Sequence, residues 1–128
     1  MSDLVHGEID SPSGVPVIAL KYGPDAILRG GSEIEQELVE EYKGLSAQAQ
    51  AKGKSLVLDF QTEIAGSPVV RALIKVHGFV SSQGGQLLVA NYPPDFLPAL
   101  QALGVTSLKG FRLVTNREAG IQYARPSA

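Results

Sequence analysis

Cysteine is absent from this 128-residue chain, which excludes disulfides, thiolate zinc sites and a cysteine nucleophile. That agrees with a reducing compartment. A Lys/Arg cluster is missing too: 11 basic residues are dispersed against 13 acidic ones, for a net charge of -2 and a pI near 5.6. A mildly acidic domain without a basic patch is a poor nucleic-acid binder, because phosphate neutralisation supplies most of that affinity. No apolar run approaches the roughly 20 residues that a membrane helix needs. The opening "MSDLVHGEID" lacks the basic region and apolar stretch of a signal peptide. These absences predict a soluble, cytoplasmic protein with no nucleic-acid partner and no membrane insertion. Repeats, low-complexity tracts and long linkers are also lacking, which predicts one domain over residues 1–128.

Apolar residues make up 44 % of the chain, enough for a core without metal or disulfide. "VHGEID" and "VPVIALK" read as short strands around the turn-like "SPSG", with Pro16 at a strand start or edge because it cannot donate to a ladder. "YGPDAILRGG" is rich in turn residues and has no clear assignment. Ser32 opens a helix through the capping box "SEIE". Ile34, Leu38, Tyr42, Leu45 and Ala49 follow at helical spacing. Gly44 weakens the middle of that helix, and Gly53 is expected to end it. "SLVLDF" is a near-continuous apolar run, the pattern of a central strand covered on both faces.

Helical spacing returns from Pro68. Val69, Leu73, Val76 and Val80 form one line and Val70, Ile74 and His77 a second, so this helix is expected to be the most buried. "SSQGG" closes it and "GQLLVANY" is a further strand. "PPDFLPALQALG" makes a short helix with Phe96, Leu100 and Leu103 inward, Pro98 within the first turn and Gly104 as its stop. "FRLVT" is the last strand. "TNREAGIQYA" is the last helix, with a capping box from Thr115 to Glu118. Strand–helix alternation with short joins implies right-handed crossovers, and the first hairpin adds an antiparallel strand. The fold class is therefore α/β, with a mixed, mostly parallel sheet of four to five strands and helices mainly on one face. In such sheets function sits beyond the carboxyl ends of the central strands, where the "QTEIAGS" loop lies.

Three segments, "SLVLDF" with its loop and Ser-initiated helix, "SSQGGQLLVANYPPDFLPALQALGV" and "FRLVTNREAGIQ", together resemble the STAS domain (sulfate transporter and anti-sigma factor antagonist). The resemblance spans about residues 15–124. It implies a non-catalytic regulator that acts through protein contact, as anti-sigma factor antagonists do. Its partner would be a kinase-type anti-sigma factor or other STAS proteins. The alternative it implies is an accessory subunit of a lipid-transport ATPase. The family's regulatory site usually reads Asp-Ser-Ser-Gly at the helix start. Here Ala65, Gly66, Ser67 and Pro68 stand in its place, and by strict register Gly66 occupies the usual phospho-acceptor position.

Ser67 followed by Pro68 is the expected pair for a helix cap and first turn. A helix N-terminus also favours phosphate, which makes Ser67 a phospho-acceptor candidate and Thr62 a second one. Glu63, Ile64, Gly66 and Ser67 form the candidate partner surface. Asp59, at a strand end, is expected to accept hydrogen bonds from loop amides. Glu63 is its only near carboxylate, too little for an acid–base site. His6 and His77 stand apart, and His77 reads as a core residue with its hydrogen bond satisfied. "SSQGG" precedes a strand, the wrong order for a phosphate-cradling loop. The sequence therefore predicts no catalysis, no cofactor and no metal.

Overall fold

The computed structural model describes residues 5–10, 13–22, 32–48, 55–62, 66–103 and 109–124. Its apolar runs form the middle of a sheet. β2 (Pro16–Leu20), β3 (Leu56–Phe60) and β4 (Leu87–Ala90) are buried at every position. β1 (Val5–Ile9) is only partly buried, and β5 (Phe111–Val114) is buried only at Val114. The difference follows from position. The five strands lie in the order β1-β2-β3-β4-β5, so the outer two each pair with one strand among the described residues, while the inner three pair on both sides and are covered on both faces. β1 runs antiparallel to β2, and all other neighbours are parallel. Pro16 is the first residue of β2, where its missing N–H costs the ladder least.

Four helices connect and cover these strands: α1 (Ser32–Ser46), α2 (Gly66–Ser82), α3 (Phe96–Ala102) and α4 (Arg117–Ala124). Side-chain alternation divides the sheet into two faces. Ile18, Leu20, Leu56, Leu58, Phe60, Leu87 and Val89 pack with α1, α2 and α3 in the larger core. Val17, Val57, Leu88, Ala90 and Val114 face the other way, where α4 brings Ala124, Ala119 and Ile121 against them. The five-stranded mixed sheet with helices mainly on one face is the architecture expected from the sequence.

The apolar line of α2 is the strongest link between sequence and packing. Val69, Leu73, Val76 and Val80 are all fully buried. Each such side chain stabilises the fold by about 1.5–3 kcal/mol relative to exposure. His77, from the neighbouring line, is also buried, and its Nε2 lies 2.8 Å from the Lys109 carbonyl oxygen. With the proton on Nε2 it ties α2 to the turn before β5, the satisfied core role expected for it. Its ring also meets the edge of Phe111 at 5.8 Å. In α1, Ile34, Leu38, Tyr42 and Leu45 are buried as their spacing predicts. Glu35 Oε1 of the expected capping box lies 3.5 Å from Lys75 Nζ of α2. Ala49, Gly53 and Gly104 lie outside the described residues, but α1 ends at Ser46 and residues 47–48 form a turn and a bend, so the helix stops before Ala49 and ahead of Gly53, which was expected to end it.

One cap differs from its expected place. Thr115 does not open α4. The Asn116 side chain accepts the Ala119 N–H at 2.9 Å, one residue further on. Asn is as good an acceptor at this position as Thr, and the helix begins at Arg117.

Gly120 sets how closely α4 approaches the sheet. A Cβ there would lie 2.9 Å from Val57 Cγ1 and 3.3 Å from Val114 Cγ2. Val57 is itself immobilised in a central strand, so it has no room to yield. Gly120→Ala should therefore lower stability by about 1 kcal/mol, overpacking outweighing the gain in helix propensity. Gly44→Ala, with nothing within 4 Å of the new methyl group, should raise stability by about 0.5–1 kcal/mol. Urea denaturation of the two variants measures both signs.

Candidate functional site

β2, β3 and β4 are parallel, so their carboxyl ends finish on one side of the sheet. An aromatic floor has formed there. Phe60, at the end of β3, meets Tyr22 edge-on at 6.3 Å and Phe96 of α3 at 5.2 Å, and Tyr92 lies 5.8 Å from Phe96. Rings of this size fill the space beneath the loops and hold the start of α3 against the sheet. Tyr22 is almost fully enclosed, and its hydroxyl finds no hydrogen-bond partner among the described residues. Burial, and after it the charge of Asp95, raise its pKa above the ordinary tyrosine value, so the phenol stays neutral.

The N-terminus of α2 stands over this floor. Gly66 has φ = 74°, a backbone conformation that glycine adopts without steric cost. The helix therefore opens one residue earlier than expected, and the non-helical position belongs to Gly66 rather than Ser67. The Gly66 N–H donates to Asp95 Oδ2 at 2.9 Å. Asp95 precedes α3 but makes no side-chain cap bond to that helix. Its carboxylate serves α2 instead, 29 residues away in sequence. Negative charge at a helix N-terminus is favourable, because the unpaired N–H groups and the helix dipole both present positive potential. Pro68 falls in the first turn, where its lack of an N–H leaves nothing unpaired.

Thr62 lies half-buried just after β3. Glu63 and Ile64 lie outside the described residues, and the description of Ser67 stops at its backbone in the first turn of α2. The loop and the helix start are thus at the same end of the sheet, as the sequence order implies. An anion arriving at this helix end would meet the Asp95 carboxylate already there.

Asp59 is not part of this constellation. Its side chain points to the opposite face, with Val57, and is 7 % exposed. Loop backbone amides were expected to donate to it; among the described residues the donors are side chains instead. Asn91 Nδ2 reaches Oδ1 at 2.8 Å, and Arg117 approaches Oδ2 through Nε at 3.0 Å and Nη2 at 2.9 Å. Gln61 Nε2 adds a longer contact of 3.4 Å. Arg117 also donates from Nη1 to Glu8 Oε1 at 2.6 Å, so one guanidinium joins β1, β3 and α4. Burial works against the charge of Arg117, but the bonds to Glu8 and Asp59 outweigh it and hold the pKa above the ordinary arginine value. Sequence reasoning missed Arg117, Asp95 and Tyr22. Asp95 had one visible signal, its place just before a helical segment, but that signal points to its own helix and not to α2.

Arg117→Met should destabilise the fold by about 2–3 kcal/mol, since it leaves the Asp59 charge buried without a counter-charge. Adding Asp59→Asn to that variant should recover part of the loss, which a double-mutant cycle by thermal or urea denaturation reads directly. Asp95→Ala should cost about 1–2 kcal/mol through the lost cap of α2, and Asp95→Asn, which keeps an acceptor, under about 1 kcal/mol. Amide exchange at Gly66 should rise in Asp95→Ala and not in Arg117→Met.

Neither a family model nor a curated protein matches this chain. A solved structure does. RsbS from Moorella thermoacetica, in a serine-to-glutamate variant, is 21 % identical, with a TM-score of 0.68 over 94 % of this chain and 93 % of its own. RsbS is a STAS-domain protein. The antiparallel first strand, the parallel remainder, the Gly-Ser-Pro opening of α2 beyond β3 and this likeness along nearly the whole chain lead to one conclusion: the chain has a STAS-like fold.

Proposed function

We propose that this chain is a non-catalytic, single-domain regulator that acts in the cytoplasm through protein–protein contact, in the manner of an anti-sigma factor antagonist. The observation that carries this reading is the likeness to RsbS, an anti-sigma factor antagonist, over 94 % of the chain. Its partner is a kinase-type anti-sigma factor or another STAS protein. Among the described residues no helix is long and apolar enough to cross a membrane.

The proposed docking surface is the loop and helix start around Thr62, Glu63, Ile64, Gly66 and Ser67. What supports it is the position of this segment beyond the carboxyl end of a central strand, where loops can vary without disturbing the sheet. Contact there would be switched by charge. A phosphate on Ser67, or on Thr62, brings about -2 charges. Asp95 already supplies a carboxylate to the same helix end. The added charge must compete with it for the helix N–H groups, and a docked partner would have to desolvate both.

Ser67→Asp tests this reading. Asp suits a helix N-terminus but repels Asp95, so folding stability should stay within about 0.5 kcal/mol of wild type. Affinity for the partner captured and identified by mass spectrometry should fall at least about tenfold, the equivalent of 1.4 kcal/mol. Thermal melts and titration calorimetry separate the two effects. Wild-type affinity in Ser67→Asp, together with loss of binding on substitution elsewhere, would move the docking surface away from α2. Capture of a lipid-transport ATPase would replace the proposed partner.

A further inference from the structure

β5 closes the sheet on the side away from β1, and among the described residues its only strand neighbour is β4. The Gly110 carbonyl accepts the Leu87 N–H at 2.7 Å, and Arg112 lies beside Leu88 of β4. Alternation along the strand then turns the N–H and C=O groups of Arg112 and Val114 toward β4 and those of Phe111 and Leu113 outward. An apolar groove of about 330 Å³ accompanies this edge, between Leu97 and Leu100 of α3 and Phe111 and Leu113 of β5. The two large apolar side chains that stay exposed among the described residues both flank the strand. Leu97, 37 % exposed, lines the groove, and Tyr123 of α4 lies on the opposite face under Arg112.

The charge at this edge has one sign. Lys109 and Arg112 are both exposed, and among the described residues neither forms an ion pair with a carboxylate. The Arg112 guanidinium sits over the Tyr123 ring, 4.5 Å from its centroid. A guanidinium held over a ring keeps N–H groups for a carboxylate, and the ring reduces the freedom it must lose on binding.

We propose that β5 takes up an extended segment of another protein, in which acidic and apolar residues alternate, as a sixth strand of the sheet. Main-chain bonds to Phe111 and Leu113 supply affinity, and the alternate side chains supply specificity. Residues opposite Phe111 and Leu113 enter the α3 groove. The residue between them falls opposite Arg112, on the face that carries α4, and charge complementarity makes it Asp or Glu. The same cation disfavours a second copy of this chain as the occupant. Symmetric pairing through Phe111 and Leu113 of both copies would set Arg112 opposite Arg112, and like charges directly opposite are destabilising. This surface uses none of the residues around Thr62 and Ser67, and it does not depend on a switch there.

The test uses the full chain and a short capped peptide of alternating valine and glutamate. Titration calorimetry at neutral pH should show one saturable site. A valine–lysine peptide should bind at least about tenfold more weakly, and so should a serine–glutamate peptide, which keeps the charge and loses the groove contacts. At saturation, amide exchange should slow at Phe111 and Leu113 and change little at Arg112 and Val114, whose N–H groups already face β4. Arg112→Glu should reverse the preference, so that the valine–lysine peptide binds more tightly than the valine–glutamate one. Leu97→Ser should weaken both peptides, and circular dichroism of the two variants should match wild type. Absence of binding would overturn the proposal, as would binding that leaves Phe111 and Leu113 exchange unchanged, or a preference indifferent to Arg112→Glu. A serine–glutamate peptide that binds as well as the valine one would reduce the contact to charge alone and overturn it. Slow exchange at both amides without peptide would assign the edge to this chain or to a second copy, and would overturn it too.

Discussion

A carboxylate enclosed between the sheet and α4 sets the terms for much of this molecule. Asp59 sits in a central strand with apolar neighbours on either side, and removing its charge from water is costly unless partners return what solvent supplied. The partners come from three separate parts of the chain: Gln61 beside it, Asn91 after β4 and Arg117 at the start of α4. Each is therefore placed by the needs of one side chain. Asn91 even takes φ = 54°, a conformation that Asn tolerates better than most residues. Arg117 extends the network outward to Glu8, so β1 is tied to the far end of the sequence by a bond spanning 109 residues.

The two faces of the sheet have different duties as a consequence. The face covered by α1, α2 and α3 is apolar and holds the aromatic floor under the loops. The face covered by α4 carries the ionic network. Asp59 and the start of α2 are close in sequence, yet alternation along β3 sends the carboxylate to one face while the chain continues to the other. Among the described residues the helix start receives its negative charge from Asp95. In the STAS pattern that the sequence resembles, an Asp stands at the helix start itself. Here Ala65 and Gly66 occupy that region, and the charge arrives across space from the segment before α3.

What the sequence made legible depended on periodicity. The apolar lines of α1 and α2 have a strict spacing, so their buried faces could be read residue by residue, and the near-continuous apolar run of β3 and the apolar run of β4 announced strands covered on both sides. The strand–helix alternation and the hairpin then led to the mixed sheet. The site was less legible. Thr62, Gly66 and Ser67 were located as a loop and helix start, but the residues that shape their surroundings are remote in sequence. No local pattern links Gly66 to Asp95 or Asp59 to Arg117, since each pairing exists only once the crossovers have brought different strands together. The cap of α4 failed by one residue for a simpler reason: Thr115 and Asn116 are adjacent and both good caps, and spacing alone does not choose between them.

The position of α4 in the chain has a consequence for biosynthesis. It follows every other described element, yet it covers Val57, Leu88 and the charge of Asp59 near the centre of the sheet. A ribosome adding about 5–20 residues per second leaves that face open for several seconds after β3 has emerged. Through that interval an apolar strip of parallel strands, with an unneutralised carboxylate in its midst, is presented to solvent. The nascent sheet is then open to chaperones and to other nascent chains, and the arrival of Arg117 ends the exposure by closing the face and neutralising the charge in one step.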